Sequence, residues 1–281
     1  MDRKKAKRNR LLTVLLVFVF LAGLSLLLYP TAADYWNSIY QSRAIADYND
    51  YLVTMDNAEY DRVLAEARQY NEDLKNRTDQ YGLPDDMAAR YEAALDVTGT
   101  GVMGYVEIPE IKVTLPIYHG TTDSVLQRAL GHLEWSDLPV GGESTHCVIS
   151  GHRGMPSSRL LTDLDQLVVG DVFMLHILDE TYTYEVDQIL IVEPQDVTAL
   201  AVVPGEDYCT LMTCTPYGIN THRLLVRGHR IAADDHSSES YYRVQANARQ
   251  IQPSTVAPLL AAPILLLLFI AAMLFGNRRK R

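Results

Sequence analysis

Two uncharged apolar stretches bracket a chain whose middle follows first a helical and then a strand period. Leu11 to Leu28 is 18 residues without a charge, and a second such run extends from Val256 to Phe275. Each approaches the roughly 20 residues a helix needs to cross a bilayer. From Tyr35 to about Asp96 the spacing predicts helix. In DRVLAEARQYNEDL, Val63, Leu64, Ala67, Tyr70 and Leu74 recur three or four apart with charge between them. Tyr81-Gly82-Leu83-Pro84 interrupts the pattern, and DDMAARYEAALD predicts a second short helix. From Gly101 the texture changes to short β-rich runs: GYVEI, KVTLPIY, HCVIS, DVFMLHIL, TYTYEVDQILIVE, YCTLMTC and HRLLVRGHRI. Turn residues separate them, among them Pro109, Gly141-Gly142, Gly170-Asp171 and Pro204-Gly205. Seven or eight strands of this kind predict a closed or nearly closed barrel. The organisation is a basic tail and first membrane segment (1–30), a helical extension (31–98), a mainly β domain (99–231), a tether (232–255), a second transmembrane helix (256–275) and a short basic tail (276–281).

Charge sets the orientation. Six of the first ten residues are Lys or Arg, and the chain ends in RRKR. Positive flanks stay on the cytoplasmic side, so both termini are expected inside and residues 31–255 outside a cell membrane. The small residues Thr31-Ala32-Ala33 after a basic start and an apolar run also fit a cleavable signal peptide. The length of the run favours a retained anchor, and the second segment would hold the protein in either case. The net charge of −10 conceals a division. Ten of the 25 Lys and Arg lie in the two tails, leaving 15 outside against 34 acids (all but Asp2), near −19. That balance argues against nucleic-acid binding, which needs basic patches; the two apolar segments make the lipid bilayer the expected non-protein partner.

Cysteine usage narrows the chemistry. Three cysteines, Cys147, Cys209 and Cys214, form no disulfide framework, and no CxxC or HxxxH suggests a zinc site, so no metal site is expected. At least one thiol is free in an exterior domain, where it is either buried and inert or functional. Strand alternation puts Cys209, Leu211 and Thr213 on one face and Thr210, Met212 and Cys214 on the other. Cys209, in line with Leu211, reads as core, and Cys147 inside THCVIS likewise. Cys214 ends its strand beside the loop TPYGIN, an accessible place for a nucleophile. At an ordinary pKa only ~3% of a thiol is ionised at neutral pH, so a histidine must lie close in space. Of eight histidines, His152 follows a strand and opens the loop HRGMPSS. His146 and His176 lie within strands and read as ordinary hydrogen-bonded or surface side chains. His119 and His132 flank turns, and His222 is expected to point away from its neighbour Arg223. Acyl transfer also needs positive charge for an oxyanion. Arg223 and Arg227 share a strand face, and Arg223 begins the strand leaving the loop, roughly 13 Å nearer to Cys214.

With these residues in view the chain resembles the sortases. TLMTC, ending at Cys214, is similar to the family signature TLxTC, Arg223 at nine residues further to its essential arginine, and SGHRG to its histidine motif. GVMGYVEIPEIKVTLPIYHGT, GHLEWSDLPVGGESTHCVISGHRG and CTPYGINTHRLLVRG resemble the class C, pilus-assembling members. The likeness covers about residues 99–231. It implies an eight-stranded β-barrel without cofactor and a catalytic set of Cys214, His152 and Arg223. It further implies cleavage of an LPXTG-like sorting signal between Thr and Gly through a thioacyl intermediate. The expected partners are pilins or surface proteins with C-terminal sorting signals, joined through a pilin Lys amine or, alternatively, a wall-precursor amine. A hydrolytic exterior cysteine protease and a non-turning-over receptor are the readings from other classes. Class C members usually carry a lid with an Asp-Pro-aromatic motif, and this chain has none. Asp85, Asp86 and Met87 stand in roughly that region, as a divergent lid or as the N-terminus of a helix capped by an Asp.

Overall fold

The computed structural model describes residues 3–77, 79, 81–83, 85–232, 261 and 266. Most of the expected tether and second membrane segment, and the whole C-terminal tail, lie outside the described residues. The chain divides into two units, one holding Met1–Trp36 with Val244–Arg281, the other Asn37–Arg243. In the first, helix α1 (Arg3–Thr54) begins, and its apolar stretch from Leu11 is long and apolar enough to cross a membrane. The helix runs straight through the boundary drawn at residue 30, with Pro30 inside it.

The second unit starts with the end of α1, then α2 (Asn57–Lys75) and α3 (Asp85–Ala93). Asp56 caps α2, its carboxylate accepting the Glu59 N–H at 2.8 Å, with Glu59 in the first turn and Lys75 in the last. The face formed by Val63, Leu64, Ala67, Tyr70 and Leu74 is buried, as its spacing requires. Asn71 shares that burial and exchanges two hydrogen bonds with the Leu138 backbone, at 3.1 and 2.8 Å. Tyr48 of α1 is fully buried; its hydroxyl donates to the Met103 carbonyl at 3.1 Å and accepts the Leu178 N–H at 2.7 Å.

Eight strands follow: β1 (Val102–Ile108), β2 (Val113–His119), β3 (Leu130–His132), β4 (Thr145–Ser150), β5 (Val172–Ile177), β6 (Glu180–Val192), β7 (Asp207–Thr215) and β8 (His222–Arg230). A one-turn helix, α4 (Asp123–Leu126), precedes β3. The strands close into a barrel in the order β1-β2-β3-β4-β7-β8-β6-β5, with β2–β3 and β4–β7 parallel and the rest antiparallel. Closure removes sheet edges, which would otherwise expose unpaired backbone groups. β3, only three residues long, is absent from the runs read in the sequence. Cys147, Ile149, Cys209, Leu211, Leu224 and Val226 join one apolar core with the helical face of α2. The alternate residues Val148, Met212, Leu225 and Leu190 form a second cluster with Leu200 and Trp135 on the opposite face of the same strands.

Candidate active site

β7 is flanked by β4 on one side and β8 on the other, and this placement brings the expected residues together. Cys214 is the register partner of Arg223 across the β7–β8 ladder, which sets their Cα atoms about 5 Å apart. On the other side the parallel ladder runs from Thr145–Asp207 to Ser150–Met212. Two further bonds extend it: Gly151 N–H donates to the Met212 carbonyl at 3.0 Å, and Thr213 Oγ1 donates to the Gly151 carbonyl at 2.7 Å. His152 is the next residue, two beyond Ser150 as Cys214 is two beyond Met212. Two ends of one hairpin and a strand end 62 residues earlier therefore present a thiol between an imidazole-bearing and a guanidinium-bearing neighbour.

Exposure separates the three thiols. Cys209 and Cys147 are 0% and 3% exposed, and burial pushes the Cys147 thiol well above its ordinary pKa. Cys214 is half-buried, on the alternate face with Met212. Thr213, between them, is buried, so the alternation read from TLMTC holds in the barrel.

The two arginines are likewise distinguished. Arg227 is committed: its Nε and Nη2 donate to both carboxylate oxygens of Asp187 at 3.0 and 2.7 Å, and its guanidinium lies 4.0 Å from the Tyr208 ring centroid. The Asp187 bonds raise its pKa further. The Arg223 side chain makes, among the described residues, one hydrogen bond, to the His222 carbonyl at 3.3 Å. An uncommitted guanidinium beside the thiol can turn toward an incoming carbonyl oxygen.

Five of the other histidines have contacts of their own. His132 is fully buried, with Nδ1 3.1 Å from the Tyr91 hydroxyl and Nε2 2.8 Å from the Asp137 carbonyl. His146 has its ring between the Ala201 carbonyl and the Thr210 hydroxyl, and burial lowers its pKa to about 4. His119 lies 2.7 Å from the Ala94 carbonyl, and His176 pairs with Glu107 at 3.2 Å. His222 contacts the Thr221 hydroxyl at 2.9 Å.

Asp85 and Asp86 open α3 as its acidic first turn, exposed and favourable to the helix dipole. Met87 is 5% exposed within the main core, alongside Tyr70 and Tyr91. The connection between α2 and α3 reaches the outer apolar cluster through other residues. Tyr81 packs edge-on against Trp135 at 5.4 Å, and Arg77 donates to the Trp135 carbonyl. Sequence reasoning missed Tyr81; an aromatic beside Gly82 in a break between helices was the available signal. It also missed Arg153, which follows His152 and is almost wholly enclosed. No group of His, Cys, Asp and Glu suited to a metal occurs among the described residues.

Known proteins resemble the chain in sequence and in fold. Residues 106–231 match the Sortase domain family model. The crystal structure of sortase C1 from Streptococcus agalactiae is 52% identical, covering 68% of this chain and 98% of that one, with a TM-score of 0.66. Clostridium perfringens sortase C, solved with the C-terminal cell wall sorting motif, is 43% identical, covering 68% and 99%, with a TM-score of 0.60. Sortase D of Bacillus subtilis is 28% identical over 196 residues, which are 66% of this chain and 92% of that protein. A closed eight-stranded barrel at this level of identity, matched along nearly the full length of its relatives, places the chain in the sortase family, among the class C sortases, as a cysteine transpeptidase.

Proposed function

We propose that this sortase is membrane-anchored with its barrel outside and both termini in the cytoplasm, and that it joins pilins. The Cys214 thiolate attacks the Thr carbonyl of an LPXTG-like sorting signal, Arg223 stabilises the oxyanion, and His152 protonates the departing glycine amine. A Lys amine of a second pilin then resolves the thioacyl bond. The observation that carries this reading is the position of Cys214 between the strand ends bearing His152 and Arg223. Two relatives support the substrate class: the C. perfringens enzyme was solved with a sorting motif, and the Streptococcus pneumoniae sortase C, 44% identical, is described in terms of pilin substrate specificity. Two apolar runs in the sequence would hold the site at the membrane, where substrates retained there meet it at raised effective concentration.

Mass spectrometry of the full chain in detergent with an LPXTG peptide tests this reading. The expected result is a thioacyl adduct on Cys214 and, with a Lys-containing acceptor, a ligated product. Hydrolysis alone in the presence of acceptor would make it a protease, ligation to a wall-type amine but not to Lys an anchoring enzyme, and binding without adduct a receptor.

A further inference from the structure

The residue after His152 is the most constrained cation near the site. Arg153 has a side chain 9% exposed, and its Nη2 forms an ion pair with Asp165. Its Nη1 reaches the hydroxyl of Thr215, the residue after Cys214, at a long 3.4 Å. Its guanidinium also lies 5.9 Å from the ring centroid of Tyr217 in the loop beyond. Its Nε is buried without a hydrogen-bond partner among the described residues. A buried unpaired N–H costs on the order of 1–3 kcal/mol, so a surface ion pair alone is a poor reason for this placement.

The surrounding loop is held as tightly. The His152 carbonyl accepts the Leu161 N–H at 3.2 Å, and the Gly154 N–H donates to Thr162 Oγ1 at 3.1 Å. Leu160, 2% exposed, sits at a φ of 39°, a left-handed conformation costly for a residue with a Cβ. Two costs are therefore accepted in the segment that carries His152, and Arg153 reaches across from it to Thr215 on the strand carrying Cys214.

We infer that Arg153, braced by Asp165, is a positioning residue. It ties the loop bearing His152 to Thr215 and Tyr217, and so fixes the imidazole relative to the thiol. The planar fork is required because one group must serve a carboxylate, a hydroxyl and a ring face together, which a Lys ammonium cannot do. This inference rests on the proposed pairing of Cys214 with His152. Displacements of about 1 Å at a reacting centre are enough to lower rates about a hundredfold.

The test uses the full chain in detergent and two readouts: steady-state cleavage of an LPXTG peptide, and the pH dependence of Cys214 alkylation by iodoacetamide, followed by peptide mapping. In Arg153→Lys, kcat is expected to fall at least tenfold with KM within threefold. The midpoint of the alkylation profile should move by half a unit or more in the direction produced by His152→Ala. Asp165→Asn should give a smaller change of the same sign, and it carries the test if Arg153→Lys does not fold. Unchanged kcat, or a fall in kcat with an unmoved profile, overturns the inference, the latter making Arg153 a structural prop. If the unmodified protein does not cleave the peptide, the functional reading fails, while the alkylation profiles still decide the role of Arg153. A profile unmoved by His152→Ala would instead refute the Cys214–His152 pairing itself.

Discussion

Asp137 accepts the backbone N–H of His146 on its Oδ2 at 2.8 Å, and burial perturbs the two residues in opposite directions. Desolvation raises Asp137 to about 6 and lowers His146 to about 4. Between pH 3.8 and 6 the folded chain holds more protons at Asp137 than the unfolded one, so this contribution to stability declines as pH rises. Between pH 4 and 6.5 the unfolded chain holds more protons at His146, so that contribution is lost as pH falls. In the unmodified protein the two slopes largely cancel. Relative to it, Asp137→Asn should gain stability as pH rises through 3.8–6, and His146→Gln should lose stability as pH rises through 4–6.5. Each change is about 3 kcal/mol at most, at 1.36 kcal/mol per unit. Urea titrations at several pH values check this, and parallel slopes for both variants would contradict it.

Cys214→Ala should abolish both peptide cleavage and adduct formation, because the other thiols are enclosed. Cys147→Ala and Cys209→Ala should keep kcat and lose about 1 kcal/mol of stability, a typical cost for a buried substitution. Turnover by the Cys214 variant would remove the nucleophile from the proposal.

Arg223→Lys should lower kcat by about 10²–10³, the usual cost of removing an oxyanion donor. Arg227→Lys should instead lower stability, losing its fork on Asp187 and its stack on Tyr208, and retain kcat within about threefold. Steady-state kinetics beside thermal unfolding separates the two effects, and equal loss of kcat at both positions would refute the distinction.

Gly151→Ala probes the support beneath His152. A Cβ there would lie 2.4 Å from Leu130 Cδ2 and 2.9 Å from Leu161 Cδ1, and both leucines are fully buried, so they must shift within the core. The expected cost is about 1–3 kcal/mol from overpacking, with a fall in kcat as the loop shifts. Unaltered kinetics would show that the site tolerates movement there.

Much of this was legible in the sequence because period is a local property. The five apolar residues of α2 and the in-out alternation of TLMTC follow from spacing alone, and both recur in the burial. β3 was illegible because Leu130–His132 is too short to show a period and takes its strand character from pairing with β2 and β4. Asn71 was missed for a related reason. A polar residue on a buried helical face is satisfied by a backbone 67 residues away, which no local pattern records. The choice between Arg223 and Arg227 came from distance along a strand, whereas the structural distinction is which guanidinium already has a carboxylate. That partner, Asp187, lies on β6, far from either in sequence.

The strand order also fixes when the site comes into existence. β4 and β7 pair across 62 residues, and β8 is the last strand the chain supplies. During synthesis, a chain delivered as far as Cys214 still lacks Arg223, and the histidine proposed to act with it waits on a pairing of high contact order that forms slowly. Until then the thiol lacks both of the neighbours proposed to act with it. On the proposed catalytic set, the enzyme is thus switched on by its own completion, and a truncated or half-assembled copy lacks part of that set.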